Sequence, residues 1–526
     1  MELDKLFKKF DSCENEKRNF TALYRDVYKY GMPDRFNNIE ETDTKGSKNT
    51  TEIFSSTFIQ ACDGFVQRVQ NLLFPVNSDW ISLTTGYNYT LNEDLKKDKA
   101  SKDKELEKLS EIMNVFKECS NFDKVATQFC YELIAGTGVL LVKQGTTDKP
   151  LIFVSIPFKD IYIVDGIDGQ AEMFFRKLKV KNRLVKNTWK TATWSYNSDE
   201  EDEEVEFIEA TYYNYDDNNW TYEVLSKTKN MSIYKETMKT SPFVDLRWGK
   251  LTGESYGRGQ GLKVIPDVKT QNRIKQYSLE NLAFAIPAFT ITDDADIDNF
   301  KFSPGALNAV NSNSNDNPPI KQIPINQQPD LEQYNVNQLE MDIKRGMMAS
   351  TLPNDPNRKT TATEVAERVA ELRNSTSNTF GTFIEFEYRL VARMLEVLQS
   401  FDFIKNPIDP QLFDGYNYKI KINTELANQQ ASLEVQQTIQ AIGSLQVLDP
   451  TMQYASVVLN YDELIPYLLE RMGIKKKFIR TSDEIQALQT QKAQAQQEAQ
   501  IQAMQDDVAV ANAKEEGKAN AKLMEQ

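Results

Sequence analysis

The chain has 526 residues, carries 62 Lys and Arg against 77 Asp and Glu, and contains no histidine. The lack of histidine excludes Ser–His and Cys–His nucleophile pairs, and it removes the commonest general base and a common metal ligand. A net charge of −15 argues against a broad nucleic-acid-binding face. Any contact with DNA is therefore expected to use local basic features.

Apolar runs in the chain are too short to cross a membrane. The best of them, LIAGTGVLLV at 133–142, is interrupted by two glycines and is expected to be buried core. The charged N-terminal segment lacks the apolar stretch of a signal peptide. We therefore expect no membrane contact and synthesis in the cytoplasm.

The cysteines give no sign of a metal or redox site. The chain has four, Cys13, Cys62, Cys119 and Cys130, and no two of them form a CxxC pair. In a reducing compartment they are expected to be free buried thiols. No cofactor is predicted.

The first half of the chain changes from helix to sheet. Residues 1–35 are predicted to form a helix ending near Met32-Pro33, and residues 51–74 a second helix stopped by Pro75. A short strand is predicted at 80–83, and a helix pair over about 93–135. From 138 to about 250, short β-branched and aromatic runs predict a mostly antiparallel β region.

An acidic run within this β region has two interpretations. It holds eight acidic residues between Asp199 and Glu209. We expect a solvated loop and strand edge, and a calcium site is the alternative.

A Gly-rich turn at 253–261 is predicted to open a long helix. Its apolar stripe consists of Ile265, Val268, Leu279 and Leu282. Lys269, Arg273 and Gln276 fall on another face. The Pro-rich residues 287–330 are expected to form a small irregular α/β module, and a further helix is predicted over about 331–349.

A hinge from Ser350 to Thr361 precedes the longest predicted helix. Thr361 and Glu364 form a capping box at its start. The helix is expected to reach about residue 399, a length of roughly 57 Å, with a kink at 374–381. Short helices are predicted at 425–475, and a Gln/Ala-rich helix or tail follows residue 481.

Nucleotide and calcium motifs are incomplete. Walker A needs GxxxxGK[ST], but Gly249-Lys250 is followed by Leu251 and lacks the upstream glycine. The segment from Gly257 to Gly261 is too short for a dinucleotide fingerprint, which favours a tight turn and close helix packing. Residues 293–298 lack the glycine and glutamate of an EF-hand loop.

Four segments together resemble one protein family. They are LYRDVYKYGMP, FVQRVQNLLFP, GESYGRGQGLKVIPDVKTQN and TTATEVAERVAELRNSTSNTFGTFIEFEYRLVARMLEVL. In this order they resemble the portal, or head-to-tail connector, proteins of short-tailed, podovirus-type bacteriophages, and the resemblance extends to about residue 480. It implies an α+β portal fold that is mostly helical. This fold has long stem and wing helices, an antiparallel β region in the wing, a small α/β clip and a helical crown.

The resemblance also implies a division of the chain. The implied parts are a wing (1–255), a stem helix (256–285), a clip (286–330), a returning stem helix (331–349), a tunnel loop (350–361), a long kinked wing helix with a following strand (362–424), a crown (425–480) and a C-terminal helix or tail (481–526).

A portal is a ring, here expected to have twelve subunits at one capsid vertex, with a channel for double-stranded DNA. Implied partners are the terminase motor, the tail adaptor and tail proteins, and the capsid and internal core proteins. The expected location is the virion, after synthesis in the host cytoplasm.

The resemblance assigns two kinds of contact residue and no catalytic residue. The DNA channel would be lined by Arg358, Lys359, Lys344, Arg345, Lys269 and Arg273, which would touch phosphates without reading sequence. The clip would dock partners through Asn311, Asn313, Asn315 and Asn317. Two alternatives stay open: another self-assembling virion protein, and a nucleic-acid enzyme that uses carboxylate-bound metals.

Overall fold

The computed structural model describes residues 3–40, 50–75, 79–284, 289–291, 320–322, 329–348, 362–404 and 407–420, with scattered residues between 435 and 469. The predicted tunnel loop with Arg358 and Lys359, the four clip asparagines, most of the predicted crown and the C-terminal tail lie outside the described residues. For 281–284, 289–291, 320–322, 329–334 and 362–380 the description covers the backbone.

Long helices account for much of the described chain. In chain order the helices are α1 (Leu3–Gly31), α2 (Thr57–Leu73), α3 (Asn88–Leu91), α4 (Glu93–Lys96), α5 (Lys99–Glu118), α6 (Phe122–Ala135), α7 (Val185–Thr188), α8 (Gln260–Phe284), α9 (Pro329–Gly346) and α10 (Ala362–Gln399). The longest, α10, has 38 residues and runs without a break through 374–381. The kink there stays a prediction.

The strands pair in antiparallel fashion throughout. They are β1 (Leu83–Thr85), β2 (Thr137–Gln144), β3 (Leu151–Ile156), β4 (Ile161–Asp165), β5 (Ala171–Lys181), β6 (Glu204–Asn214), β7 (Asn219–Ser226), β8 (Met231–Met238), β9 (Phe243–Arg247), β10 (Phe289–Ile291), β11 (Ile320–Gln322) and β12 (Tyr418–Ile420). One sheet has the order β4-β5-β6-β7-β8, and a second has the order β3-β2-β9. The remaining pairs are β1 with β12 and β10 with β11. The predicted antiparallel β region is confirmed.

The chain divides into two compact units. The first comprises residues 1–81 and 111–416, and the second comprises residues 82–110 and 417–526. In the second unit, strand β1 is held on one side by the β1–β12 ladder. On the other side the Asp103 carboxylate accepts hydrogen bonds from the backbone N–H and the hydroxyl of Thr85, at 2.9 Å each.

The first unit is built on apolar faces that match its sequence patterns. The predicted core run 133–142 is buried, from the end of α6 through β2. Helix α1 lays Leu6, Phe10 and Cys13 against one face of the five-stranded sheet. Helix α10 places Phe386 in a stack with Phe129 of α6, with ring centroids 5.1 Å apart.

Two local predictions are wrong for identifiable reasons. The short strand occupies 83–85 and not 80–83, because the Asn114 side chain bonds the backbone N–H and carbonyl oxygen of Ile81 and so takes the place of a ladder. Trp80 is buried against the Phe74 ring. Cys119 is exposed, since it follows the last residue of α5, while the other three cysteines are buried as predicted.

The acidic run was only partly anticipated. Asp199 to Glu204 are exposed, as expected. Glu209, however, is fully buried on β6, where its carboxylate contacts Arg176 at 3.1 Å and Lys143 at 3.5 Å. Burial alone would raise the pKa of Glu209, but the two cations outweigh burial and lower it. Lys143 and Arg176, on other strands, thus neutralise a carboxylate that local sequence predicts to be exposed.

Candidate DNA-channel hairpin

The Gly-rich turn before α8 is fixed by backbone contacts that admit no side chain. The Gly259 N–H bonds the Ala135 carbonyl oxygen at 2.9 Å, and the Gly257 N–H bonds the Thr137 hydroxyl at 2.9 Å. A Cβ on Gly257 would overlap the Gly136 backbone, and a Cβ on Gly259 would overlap that of Ile134. The turn therefore sets the start of α8 against the buried core. The prediction of a tight turn with close packing is confirmed.

Helices α8 and α9 form an antiparallel hairpin. Lys275 of α8 pairs with Glu340 of α9, with 3.0 Å between Nζ and Oε1. At the other end, Gly346 lets Val264 approach so closely that a Cβ there would meet the valine Cγ1. Ile343 of α9 is fully buried. These contacts fix the register of the two helices.

A polar cluster, which we call the hairpin cluster, joins this pair to the N-terminus of α2. Its members are Ser55, Thr57, Gln271, Lys275 and Glu340. The Ser55 hydroxyl donates to Gln271 Oε1 at 3.0 Å, and the Thr57 hydroxyl donates to Glu340 Oε1 at 3.0 Å. Burial would raise the pKa of Glu340, but its bonds from Lys275 and Thr57 lower it. The hairpin is thus anchored by directional bonds, which resist sliding more than apolar contacts do.

The described channel candidates lie on this hairpin. Lys269 is exposed and pairs with Asp26 of α1 at 2.6 Å. Arg273 donates to Gln276 at 3.0 Å and lies 4.7 Å from the centre of the Tyr277 ring. Part of the positive charge predicted for α8 is therefore already compensated within the subunit.

The two candidates on α9 differ in exposure. Lys344 is half-buried and near enough to Glu340 to help lower the pKa of that carboxyl, while Arg345 is exposed. The pairing of Lys275 with Glu340 and of Val264 with Gly346 places both residues at the level of the α8 turn that contains Lys269. The structure thus brings these three cations to one height along the hairpin.

The apolar stripe predicted for α8 ends earlier than expected. Ile265 and Val268 are buried, but Leu279 is 54% exposed. Beyond Val268 the buried positions are Gln271 and Asn272, because the neighbouring segment 52–57 offers hydrogen-bonding groups and not an apolar surface. Tyr277 and Met341 are also about half exposed. The hairpin therefore leaves these three apolar side chains about half exposed, with Tyr277 and Leu279 on different faces of α8.

Helix α10, which follows the predicted tunnel loop, is anchored by an ion pair to a buried carboxylate. The Asp245 carboxylate of β9 lies between Arg389 of α10 and Arg247 of its own strand. Arg247 also contacts Asp165 at the end of β4. Burial alone would raise the pKa of Asp245, but the two guanidinium groups outweigh it and hold that pKa below its usual range.

Sequence reasoning missed both anchors. Gln271 and Glu340 could have been found as polar residues at helical spacing on apolar faces. Asp245 stands between the apolar residues Val244 and Leu246 in the strand FVDLR, which is a comparable signal. None of these signals identifies the residue that the buried polar side chain contacts, since that residue is distant in sequence.

Two searches of the described residues were negative. They contain no group of three or more His, Cys, Asp or Glu side chains placed to hold a metal ion. Within the same residues, no helix combines the length and the apolar character of a membrane span.

Comparison with protein families decides the assignment. The sequence model of the bacteriophage head to tail connecting proteins matches residues 3–479. The chain belongs to this family. The family match therefore makes this connector a structural component of a virion, and its mixed helical and antiparallel architecture agrees with the portal-like fold expected from the sequence.

Three solved structures similar to this connector come from gene transfer agent particles. In the virion of a native particle, a chain of 11% identity has a TM-score of 0.36, with 81% of this chain and 95% of that chain covered. In the neck of a native particle computed with C12 symmetry, the identity is 10% and the TM-score 0.34, with 79% and 90% covered. In the neck of an empty particle computed with C6 symmetry, the identity is 10% and the TM-score 0.35, with 80% and 96% covered.

No protein with a curated function matches the sequence. The assignment of this connector rests on the family match.

Proposed function

We propose that this connector is the portal protein of a short-tailed, podovirus-type phage. Twelve copies would form a ring at one capsid vertex, with an axial channel through which double-stranded DNA is packaged and ejected. In this proposal α8 and α9 are the descending and returning stem helices, 286–330 is the clip, 350–361 is the tunnel loop and 425–480 is the crown.

The exposed apolar side chains of the hairpin are the observation that carries the proposal of a ring. Tyr277, Leu279 and Met341 are each about half exposed on two helices whose other faces are fixed by the hairpin cluster. Burying such side chains is favourable at about 25 cal/mol per Å² of apolar surface. In a closed ring each subunit has a neighbour on either side, so side chains on different faces of the hairpin would be covered, and every subunit makes the same contacts.

Charge supports passage of DNA without tight binding. The connector carries a net charge of −15. Lys269 is already paired with Asp26 on the hairpin. Repeated around a ring, Arg358 and Lys359 of the tunnel loop would add a circular band of positive charge. Such a band makes phosphate contacts independent of sequence, while the acidic remainder keeps DNA from adhering.

The partners in this proposal divide between the two ends of the ring. The clip would dock the terminase motor during packaging and the tail adaptor with its tail proteins afterwards. The crown and wing would face the capsid and the internal core proteins.

A charge placed in the hairpin surface tests the proposed ring. We expect the wild-type protein to sediment as a large oligomer and to give rings with an axial channel in electron micrographs. Leu279→Asp should shift it towards the subunit mass of 60.4 kDa, because a carboxylate would be buried at the contact. Leu251→Asp is the control, since Leu251 is 50% exposed in a turn outside the hairpin. A wild-type monomer at micromolar concentration, or equal behaviour of the two variants, would contradict the proposal.

A further inference from the structure

Two oppositely charged side chains of the hairpin have no ionic partner among the described residues. Arg273 of α8 is exposed, and its polar and ring contacts are to Gln276, at 3.0 Å, and to the Tyr277 ring, 4.7 Å from its centre. Asp342 of α9 accepts hydrogen bonds from the Gln338 side chain at 3.2 Å. Each therefore keeps its charge available for a group outside the subunit.

Arg273 and Tyr277 lie on the side of α8 that is turned away from α9. Lys275 marks the opposite side, because its Nζ contacts Glu340 of α9 at 3.0 Å. With about 3.6 residues per turn, two residues that are two positions apart in a helix point in nearly opposite directions. Arg273 and Tyr277 are each two positions from Lys275. We call these two residues the α8 outer face.

Met341 and Asp342 form a comparable surface on α9. Ile343 is fully buried in the hairpin, and Glu340 contacts Lys275. Met341 is two positions from Ile343, and Asp342 is two positions from Glu340, so each points away from those contacts. Met341 is 49% exposed, and Asp342 is partly exposed. We call Met341 and Asp342 the α9 outer face.

The two outer faces match each other in chemistry and in height. Each has one apolar residue that is about half exposed, Tyr277 or Met341, beside one unpaired charge, which is positive on α8 and negative on α9. Because the helices are antiparallel and Lys275 stands opposite Glu340, Arg273 is level with Asp342. Tyr277 is within about one turn of Met341 by the same register.

Other charges near the outer faces do not oppose this match. Arg345 also points away from Ile343, but the register sets it about level with Thr270, which is neutral. Glu280 of α8 is about level with Asn335, which is neutral too. Lys269 is already paired with Asp26 at 2.6 Å. Arg273 and Asp342 are thus the complementary charges at a common height.

We propose that the α8 outer face of one subunit packs against the α9 outer face of the next, with Arg273 paired to Asp342 across the boundary. This inference rests on the proposed ring. A contact between two different faces repeats head to tail and closes a ring, whereas either face against itself would bring like charges together. The pairing assigns Arg273 to the contact between subunits and not to the DNA channel.

Charge reversal tests the pair. Arg273→Asp would place two carboxylates at every contact, and Asp342→Arg would place two cations there. Each variant should raise the subunit concentration at which rings form by at least about tenfold in sedimentation. Lys235→Asp is the charge-matched control, because Lys235 is an exposed lysine on β8, outside the hairpin. Rings of Arg273→Asp or Asp342→Arg at the wild-type concentration would overturn the proposal.

An equimolar mixture of the two variants should form rings again. In an alternating ring, Arg273 of the Asp342→Arg subunit meets Asp342 of the Arg273→Asp subunit, and at the next contact the two substituted residues meet with opposite charges. Native mass spectrometry should find equal numbers of the two subunits. Arg273→Asp mixed with Lys235→Asp should not recover. Recovery also shows that both variants fold, and a mixture without rings would contradict the pairing.

The wild-type protein separates this inference from the ring itself. Wild-type rings together with charge reversals that have no effect would leave the ring and remove the Arg273–Asp342 contact. A wild type that forms no ring would remove both.

A double variant separates the subunit contact from the DNA channel. Arg273→Asp with Asp342→Arg in one chain exchanges the charges across each contact, so rings should form, and heads that carry them should contain the normal amount of DNA. Rings whose heads contain little DNA would place Arg273 on the channel and overturn its assignment to the subunit contact.

Discussion

Arg389 of α10 binds both the carboxylate and the backbone carbonyl oxygen of Asp245 on β9. The bond from Nη2 to the Asp245 carbonyl oxygen is 2.8 Å, and Nη1 contacts the carboxylate. One guanidinium group thus fixes the rotation of α10 against the three-stranded sheet. The pair therefore anchors the C-terminal half of α10 to the core of the first unit.

Removal of the Asp245 charge should destabilise the protein strongly. Asp245→Asn removes the carboxylate shared by Arg247 and Arg389, and breaking a buried ion pair costs about 3–5 kcal/mol. The lower end is expected, because Asp165 still contacts Arg247 and Arg389 is one-third exposed. Denaturant unfolding measures the effect. Asp11→Asn breaks an exposed pair with Lys227 and should cost less than about 1 kcal/mol. Similar losses for the two variants would contradict the anchoring role.

The same pair predicts loss of stability in acid. The pKa of folded Asp245 is below its ordinary value of 3.8. Its contribution is therefore present above that value and is lost as the pH falls through the folded pKa. The difference in unfolding free energy between wild type and Asp245→Asn should shrink on acidification below about pH 4. A constant difference from pH 7 to pH 3 would argue against an ionised pair.

Glu387 should make the protein less stable at alkaline pH. It is 2% exposed on α10, and burial raises its pKa to about 8. Because the folded pKa lies above the unfolded value, its contribution is fully present below about pH 4.5 and is lost as the pH rises to 8. Glu387→Gln should therefore be more stable than wild type at pH 8, by on the order of 1–4 kcal/mol.

Unfolding free energies from pH 5 to pH 9 check this prediction. Glu385→Gln is the matched control, because Glu385 is on the same helix with its side chain 44% exposed. The control should follow the wild-type profile. An unchanged profile for Glu387→Gln would show that the carboxyl finds compensation in the folded protein.

Two glycines should respond oppositely to alanine. Gly259→Ala places a methyl group against the backbone of Ile134 and Ala135, so we expect a loss of at least about 3 kcal/mol or failure to fold. Gly381→Ala, within α10 and open to solvent, should stabilise by up to about 1 kcal/mol through helix propensity. Thermal unfolding distinguishes them. Tolerance of Gly259→Ala would mean that the turn before α8 is not closely packed.

Charge reversal in the tunnel loop should block DNA without blocking assembly. Arg358→Glu with Lys359→Glu changes each subunit by four charge units, and a ring multiplies the change. Surface substitutions usually alter stability by about 0.5 kcal/mol or less, so rings should form normally while the heads contain little DNA. Lys190→Glu with Lys235→Glu is a charge-matched control in the β region. If heads carrying the tunnel-loop variant contain the normal amount of DNA, residues 350–361 only connect two helices and do not act on DNA.

Deletion of Asn311 to Asn317 should separate assembly from docking. If these residues are an exposed tip of the clip, rings should persist while binding of the terminase motor or tail adaptor is impaired. Electron microscopy of the ring and a pull-down with each partner measure the two properties. Loss of the ring itself would make the segment structural.

Local sequence signals determined most element positions. Proline geometry sets the end of α1 near Met32-Pro33 and the end of α2 before Pro75. The period of apolar residues sets the antiparallel strands after residue 137. The Gly-rich turn also followed from sequence, because closely packed backbone admits only glycine there. Lys269 and Arg273, predicted to lie on a face of α8 other than its apolar stripe, are both exposed, and their place in a DNA channel stays a prediction.

Only the tertiary structure decided which charges remain available. Asp26 compensates the charge of Lys269. Arg176 and Lys143 together neutralise the buried Glu209 carboxylate, and each of these pairs joins elements far apart in the chain. The same holds for Leu279, whose exposure depends on the polar segment beside Gln271. Periodicity reports which face of an element can be buried. What covers that face, and whether it brings a counter-charge, depends on distant segments that local pattern does not specify.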